Sequence, residues 1–121
     1  MILRTGVDLI EVSRVAEAIE RHGERFLSRI YTDTERLECK GGITSLAVRF
    51  AAKEAAAKAL GCGIGDVSWL EIEIRSDEKK APYLVLRGEG EKLAQELGLL
   101  NWSVSLSHTE SHAIAFVVMT G

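Results

Sequence analysis

Sixteen residues, Ser45 to Leu60, constrain the fold more than any other stretch. They hold nine alanines or leucines, no glycine and no proline, and Gly61 follows as a residue suited to a left-handed C-cap. The composition predicts a helix. Its alanines lie around most of the circumference, so this is expected to be a central helix packed closely on several sides. The rest of the chain must supply the apolar surfaces that cover it.

Residues 2–12 are rich in Ile, Leu and Val and alternate loosely, which predicts a strand containing Gly6-Val7-Asp8. A helix is expected from about Ser13, with Val15, Ile19, Phe26 and Ile30 on one face and Gly23 as a point of kinking or breakage. Thr32 and Glu35 have capping-box spacing, predicting a short helix from Asp33 to Cys39, ended by Gly41-Gly42. Trp69–Arg75 alternates as a strand, charges at Asp77–Lys80 make a turn, and Tyr83–Arg87 pairs back as a hairpin. Glu89–Leu97 reads as a helix closed by Gly98. Trp102–His108 and His112–Met119 read as two strands joined at Thr109-Glu110-Ser111. This order indicates one α+β domain over residues 1–121, a mainly antiparallel sheet with helices packed on it. Five strands on so small a core leave unpaired edges, which oligomerisation would cover.

Several classes of function are disfavoured. The longest apolar run, Ala113–Met119, is far shorter than the roughly 20 residues of a membrane span. Arg4, Asp8 and Glu11 interrupt the N-terminal stretch, so no signal peptide is expected. Cys39 and Cys62 stand outside any Cys-x-x-Cys pattern and read as free thiols of a reducing cytoplasm. A net charge of −3 argues against general nucleic-acid binding. Residues 1–60 carry ten Lys and Arg against nine Asp and Glu, while residues 61–121 carry five against nine. Basic surface is therefore expected in the first half.

The central helix also holds the densest chemistry. Glu54 and Lys58 have the i, i+4 spacing of an ordinary solvated ion pair. Phe50, Lys53, Glu54, Ala57 and Lys58, however, fall within one broad arc. One carboxylate among cations suits a metal–phosphate site, where Mg²⁺ takes one or two carboxylates plus phosphate oxygens. Asp8 shares its strand face with Gly6 and Ile10. It is either an outward carboxylate near the strand end or a second metal ligand. His108 follows Trp102, Val104 and Leu106 on one face, as a hydrogen-bonded core residue or as a ligand contact at the strand end. Ser103, Ser105 and Ser107 line the other face without a nucleophile elbow. Gly61-Cys62-Gly63-Ile64-Gly65 follows a helix rather than a strand, so it reads as a C-cap and tight turn, open to backbone approach by a phosphate-bearing ligand. Arg14, Arg21 and Arg25, at i, i+7 and i+11, form a stripe that is either a solvated face or a docking ridge for an acidic partner.

Three of these segments together resemble the small bacterial-type holo-acyl-carrier-protein synthases, a class of 4′-phosphopantetheinyl transferase. They are Gly6-Val7-Asp8, Ser105-Leu106-Ser107-His108 and the run Arg49–Ala59. That run matches the family's Phe-x-x-Lys-Glu-Ala-x-x-Lys-Ala signature at every fixed position. The resemblance implies the transferase-like fold, a homotrimer with active sites between protomers, and transfer of the phosphopantetheine arm from coenzyme A to apo acyl-carrier protein in fatty acid biosynthesis. It implies that Asp8 and Glu54 hold Mg²⁺, or Mn²⁺ in its place, and that Glu54 and Lys58 are catalytic, with Lys58 acting on the leaving phosphate. It makes Arg49, Lys53, His108 and Thr109 coenzyme A contacts, to which Lys58, Gly61, Gly63 and Pro82 are added as candidates. Arg14, Arg21 and Arg25, the one aligned cationic row, are assigned to the acidic carrier by charge. Two other classes compete with it: a non-catalytic coenzyme A or nucleotide-binding module, and a metal-dependent phosphodiesterase acting on the carrier.

Overall fold

The structure, a computed structural model, describes residues 1–121. Strand β1 (Leu3–Glu11) leads into helix α1 (Val12–His22), followed by α2 (Glu24–Ile30), α3 (Asp33–Cys39) and the long α4 (Ile43–Leu60). A 3₁₀ turn at Trp69–Glu71 precedes β2 (Ile72–Ser76) and β3 (Pro82–Leu86). Helix α5 (Gly88–Glu96), β4 (Asn101–His108) and β5 (His112–Thr120) complete the chain. No helix is long and apolar enough to cross a membrane.

The α+β order is as expected, but the strands form two sheets rather than one. A three-stranded antiparallel sheet has the order β1-β5-β4, and β2-β3 is a separate hairpin. Trp102 on β4 ties the two together, its indole Nε1–H donating to the Leu84 carbonyl at 2.9 Å. Gly23, at φ 53, breaks the first helix, one of the two outcomes expected there, and α2 begins at Glu24. One local expectation changes. The alternation at Trp69–Glu71 belongs to a 3₁₀ turn, closed by reciprocal caps between Ser68 and Glu71. The Thr32–Glu35 box forms as predicted, with both of its bonds present.

Helix α4 is the axis of the molecule. Twelve of its residues are buried, on every side, because alanines admit close neighbours all round. The sheet lies against one side, α1 and α3 against another, and β2 against a third. Gly6 sets the closest approach. A Cβ there would overlap the Ala55 carbonyl oxygen and crowd the Ala59 nitrogen. Gly6→Ala is therefore expected to lower unfolding stability by about 3 kcal/mol, the upper range for overpacking. Urea denaturation measures this, and an unchanged midpoint would show that the strand and helix can move apart freely.

Candidate active site

The inner face of β1 presents Arg4, Gly6, Asp8 and Ile10 toward α4, alternating with exposed Leu3, Thr5, Val7 and Leu9. Because Gly6 lets the two backbones meet, the next inward residue falls beside the last turns of the helix. Asp8 is thus the inward carboxylate, not an outward one. Its Oδ1 accepts from Lys58 Nζ at 3.2 Å, and the same ammonium donates to the Val7 carbonyl at 2.9 Å. Lys58 pairs with the strand, which the i, i+4 reading of Glu54 and Lys58 did not anticipate. Glu54 stands one turn back on α4. Its carboxyl is pushed above the usual carboxylate range by burial and then by the charge of Asp8, with Lys58 pulling the other way. Two carboxylates from different elements therefore sense each other's charge beside a single lysine. A divalent cation fits such a pair. No cluster of three or more metal-ligating side chains exists, so two protein ligands would leave positions for phosphate oxygens and water, as Mg²⁺ prefers.

A second group forms around a cavity of about 760 Å³ between the start of α4, the β2–β3 turn and β4. Arg49, Pro82 and His108 line it together, joined by Lys80, which the sequence reading did not single out. His108 ends the apolar face of β4 and is exposed, so it is not a core residue. Arg49 is nearly buried. Its Nη1 donates to the Glu35 carbonyl and Cys39 Sγ, and its Nη2 donates to Glu38 Oε1 at 3.0 Å and to Ser76 Oγ at 3.1 Å. A further cavity of about 680 Å³, among α1, α2, α3 and the start of α4, is lined by none of the expected site residues.

Other expected contacts stand elsewhere. Lys53 is corrected: it is 0 % exposed, and its Nζ donates to Glu35 Oε1 at 2.8 Å and to the Trp69 and Ile72 carbonyls at 2.9 and 2.7 Å. Three acceptors use all three ammonium protons, leaving none for coenzyme A. Burial pushes this ammonium below the usual lysine range, and Glu35 opposes the shift. The predicted arc is split as well, since Phe50 turns away to stack on Phe26 and Trp69. Gly61 takes the αL conformation at φ 73 and closes α4, with the Arg4 guanidinium occupying the space of any side chain. Arg4 Nε donates to the Ala59 carbonyl at 2.6 Å, a cation at the helix C-terminus. Gly63 is exposed, with nothing near the position of a Cβ. Thr109 shapes the β4–β5 turn, its Oγ1 accepting from the His112 and Ser111 N–H groups. Arg14 and Arg21 are exposed on α1, whereas the break at Gly23 moves Arg25 onto α2. The three-residue stripe is therefore reduced to two.

Missed residues had weak signals. Glu35 was legible as a helix cap, but nothing local links it to Lys53, 18 positions away. Lys80 looked like one more charge in a turn.

Paired carboxylates beside a lysine, together with a cation-lined cavity, make a site for phosphate-bearing ligands on an α+β frame. The sequence model of the 4′-phosphopantetheinyl transferase superfamily matches residues 4–117. A holo-[acyl-carrier-protein] synthase of Herpetosiphon aurantiacus is 50% identical, covering 99% of this chain and 100% of its own. The holo-[acyl-carrier-protein] synthase of Helicobacter pylori, solved in complex with coenzyme A, superposes with a TM-score of 0.88 at 33% identity, over 96% of this chain and 99% of that one. The enzyme from Neisseria meningitidis gives 0.89 at 37%, over 98% of both chains. The chain belongs to the 4′-phosphopantetheinyl transferase superfamily.

Proposed function

We propose that this protein transfers the 4′-phosphopantetheine arm of coenzyme A to a serine hydroxyl of apo acyl-carrier protein, releasing adenosine 3′,5′-bisphosphate. The observation that carries the reading is the meeting of Asp8, Glu54 and Lys58, three signature positions from a strand and a helix, beside one another. Asp8 and Glu54 would hold Mg²⁺. When bound, the ion neutralises pyrophosphate charge and polarises the phosphorus centre. Lys58, anchored by the Val7 carbonyl and Asp8, keeps an ammonium where charge accumulates on the leaving phosphate. Arg49, Pro82 and His108 offer a cavity for the nucleotide end. Catalysis here is positioning and charge neutralisation. Incubating the protein with coenzyme A, Mg²⁺ and apo carrier and weighing the carrier tests the reading. A gain of the arm supports it. Coenzyme A binding without a gain returns the binding-module class, and loss of the arm from holo carrier returns the phosphodiesterase.

The assembly is proposed to be a homotrimer with sites shared between protomers. What supports this is a face rather than the edges argued from sequence. On the outer side of the sheet Val7 opposes Phe116 and Leu9 opposes Ile114, and all four are exposed; Leu3 and Leu9 are 64% and 63% exposed. Adjacent apolar side chains of this size mark a surface that another chain covers. Light scattering is expected to give three times the chain mass at micromolar concentration. A monomer mass with activity intact would refute it. The reaction is placed in fatty acid biosynthesis in the cytoplasm, a reducing compartment suited to the free thiols Cys39 and Cys62.

Acyl-carrier proteins are acidic and this chain is net negative, so productive encounter needs a local positive patch. Arg14 and Arg21 on α1 supply it, and Arg25 and Arg29 on α2 extend it; none of the four is in an ion pair. Reversing a charge at such a rim acts mainly on association and weakens with salt. Arg14→Glu or Arg21→Glu is expected to raise the carrier KM about tenfold, equivalent to about 1.4 kcal/mol, and to move the coenzyme A KM little. Steady-state kinetics with each substrate varied in turn decides it. Equal effects on both KM values would return these arginines to a solvated face.

A further inference from the structure

Hairpin closure alone does not require a lysine at position 80. Lys80 has φ 63, a left-handed conformation that glycine adopts freely and a residue with a Cβ adopts at a cost. Backbone bonds hold it there. Its N–H donates to the Asp77 carbonyl at 2.9 Å, the Asp77 N–H donates to the Ala81 carbonyl at 2.9 Å, and Asp77 Oδ1 accepts from the N–H groups of Lys79 and Ala81. None of these bonds uses the lysine side chain, and Lys80 belongs to no ion pair. The αL conformation is therefore the hairpin's own, a type I turn followed by a left-handed residue, and it leaves the lysine side chain without a folding role.

The side chain does have a place. It lines the cavity shared by Arg49 and His108, where four hydroxyl side chains but no carboxylate face the space. The charge of Arg49 is already met by Glu38 at 3.0 Å. Lys80 therefore brings the uncompensated positive charge, on a flexible stem that acts as a point charge for phosphate. We infer that Lys80 is a specificity-determining residue that binds a phosphate monoester carried by the donor in addition to its pyrophosphate. The inference rests on the transferase reading. In that reading the donor is coenzyme A, whose 3′-phosphate is its one phosphate outside the pyrophosphate.

The test compares kcat/KM for coenzyme A and for 3′-dephospho-coenzyme A in the wild-type protein and in Lys80→Gly, which relieves the backbone strain and so is expected to fold with an equal or higher Tm. The wild-type preference for coenzyme A is expected to fall about tenfold or more, the scale of one hydrogen bond to a charged group. Lys80→Arg is expected to keep most of it. A preference unchanged in Lys80→Gly, or absent from the wild type, overturns the inference. Calorimetric binding of adenosine 3′,5′-bisphosphate against 5′-AMP gives the same comparison without turnover. A wild type that never modifies the carrier defeats the transferase reading. The two affinities still decide Lys80: a bisphosphate preference lost in Lys80→Gly supports its role, and one retained overturns it.

Discussion

Asp8→Asn and Glu54→Gln are each expected to leave a folded protein whose turnover falls at least about 10²-fold, the scale on which loss of a metal ligand or acid–base group is felt. Asp8 reaches this position because Gly6 brings β1 onto α4, and because alternation turns the next inward side chain toward Lys58. Each change is nearly isosteric and removes one negative charge from a pair that already repels. Folding is therefore expected to be nearly unharmed: easing the repulsion relieves a local cost, and the Asp8–Lys58 pair that Asp8→Asn gives up involves a half-exposed lysine and is worth little. Function and stability should thus part company: circular dichroism and the urea midpoint stay near wild type while activity collapses. The wild type in chelator is expected to match the variants, and added Mg²⁺ to restore only the wild type. Full activity of both variants in chelator would sink the two-carboxylate site.

Much of this architecture was legible because its signals are local. The Thr32–Glu35 cap, the alanine-rich α4 and the Gly61 terminus each follow from residues within one or two turns, and each forms as read. Gly23 was legible as a break because glycine alone takes φ 53 there without cost. Trp69–Glu71 misled because three residues of alternation do not separate a strand from a 3₁₀ turn; the Ser68-x-x-Glu71 cap was the signal that does. The division into two sheets rests on how β3 meets β4 through Trp102, a contact between distant segments that no periodicity encodes. The site followed the same rule. Helical spacing placed Glu54 and Lys58 correctly along α4 but could not say which elements would cover each side of it. Lys58 met Asp8, 50 positions away, while Lys53 disappeared beneath α3 and β2.

That burial makes Lys53→Met the largest expected loss of stability, about 3–5 kcal/mol, the cost of leaving one member of a buried ion pair alone. Glu35 is itself fully buried, and its partners are spent: Oε1 accepts from Lys53 and the Thr32 N–H, and Oε2 accepts from the Ile74 N–H. Removing the ammonium leaves a carboxylate without its counter-charge at the junction of α3, α4 and β2. It also strands the Trp69 and Ile72 carbonyls. Methionine fills much of the volume, so a cavity contributes little and the electrostatic cost is what is measured. The double variant Glu35→Gln with Lys53→Met is expected to recover part of the loss, because a neutral amide is far cheaper to bury than a lone charge. Urea midpoints of the two single variants and the double variant complete the cycle. Kinetics then separates this role from substrate contact. Folded Lys53→Met protein, assayed well below its midpoint, is expected to keep a coenzyme A KM within about twofold of wild type, since no proton of Lys53 faces the cavity. A raised KM with an unchanged midpoint would put Lys53 back among the donor contacts and overturn the buried-tether assignment.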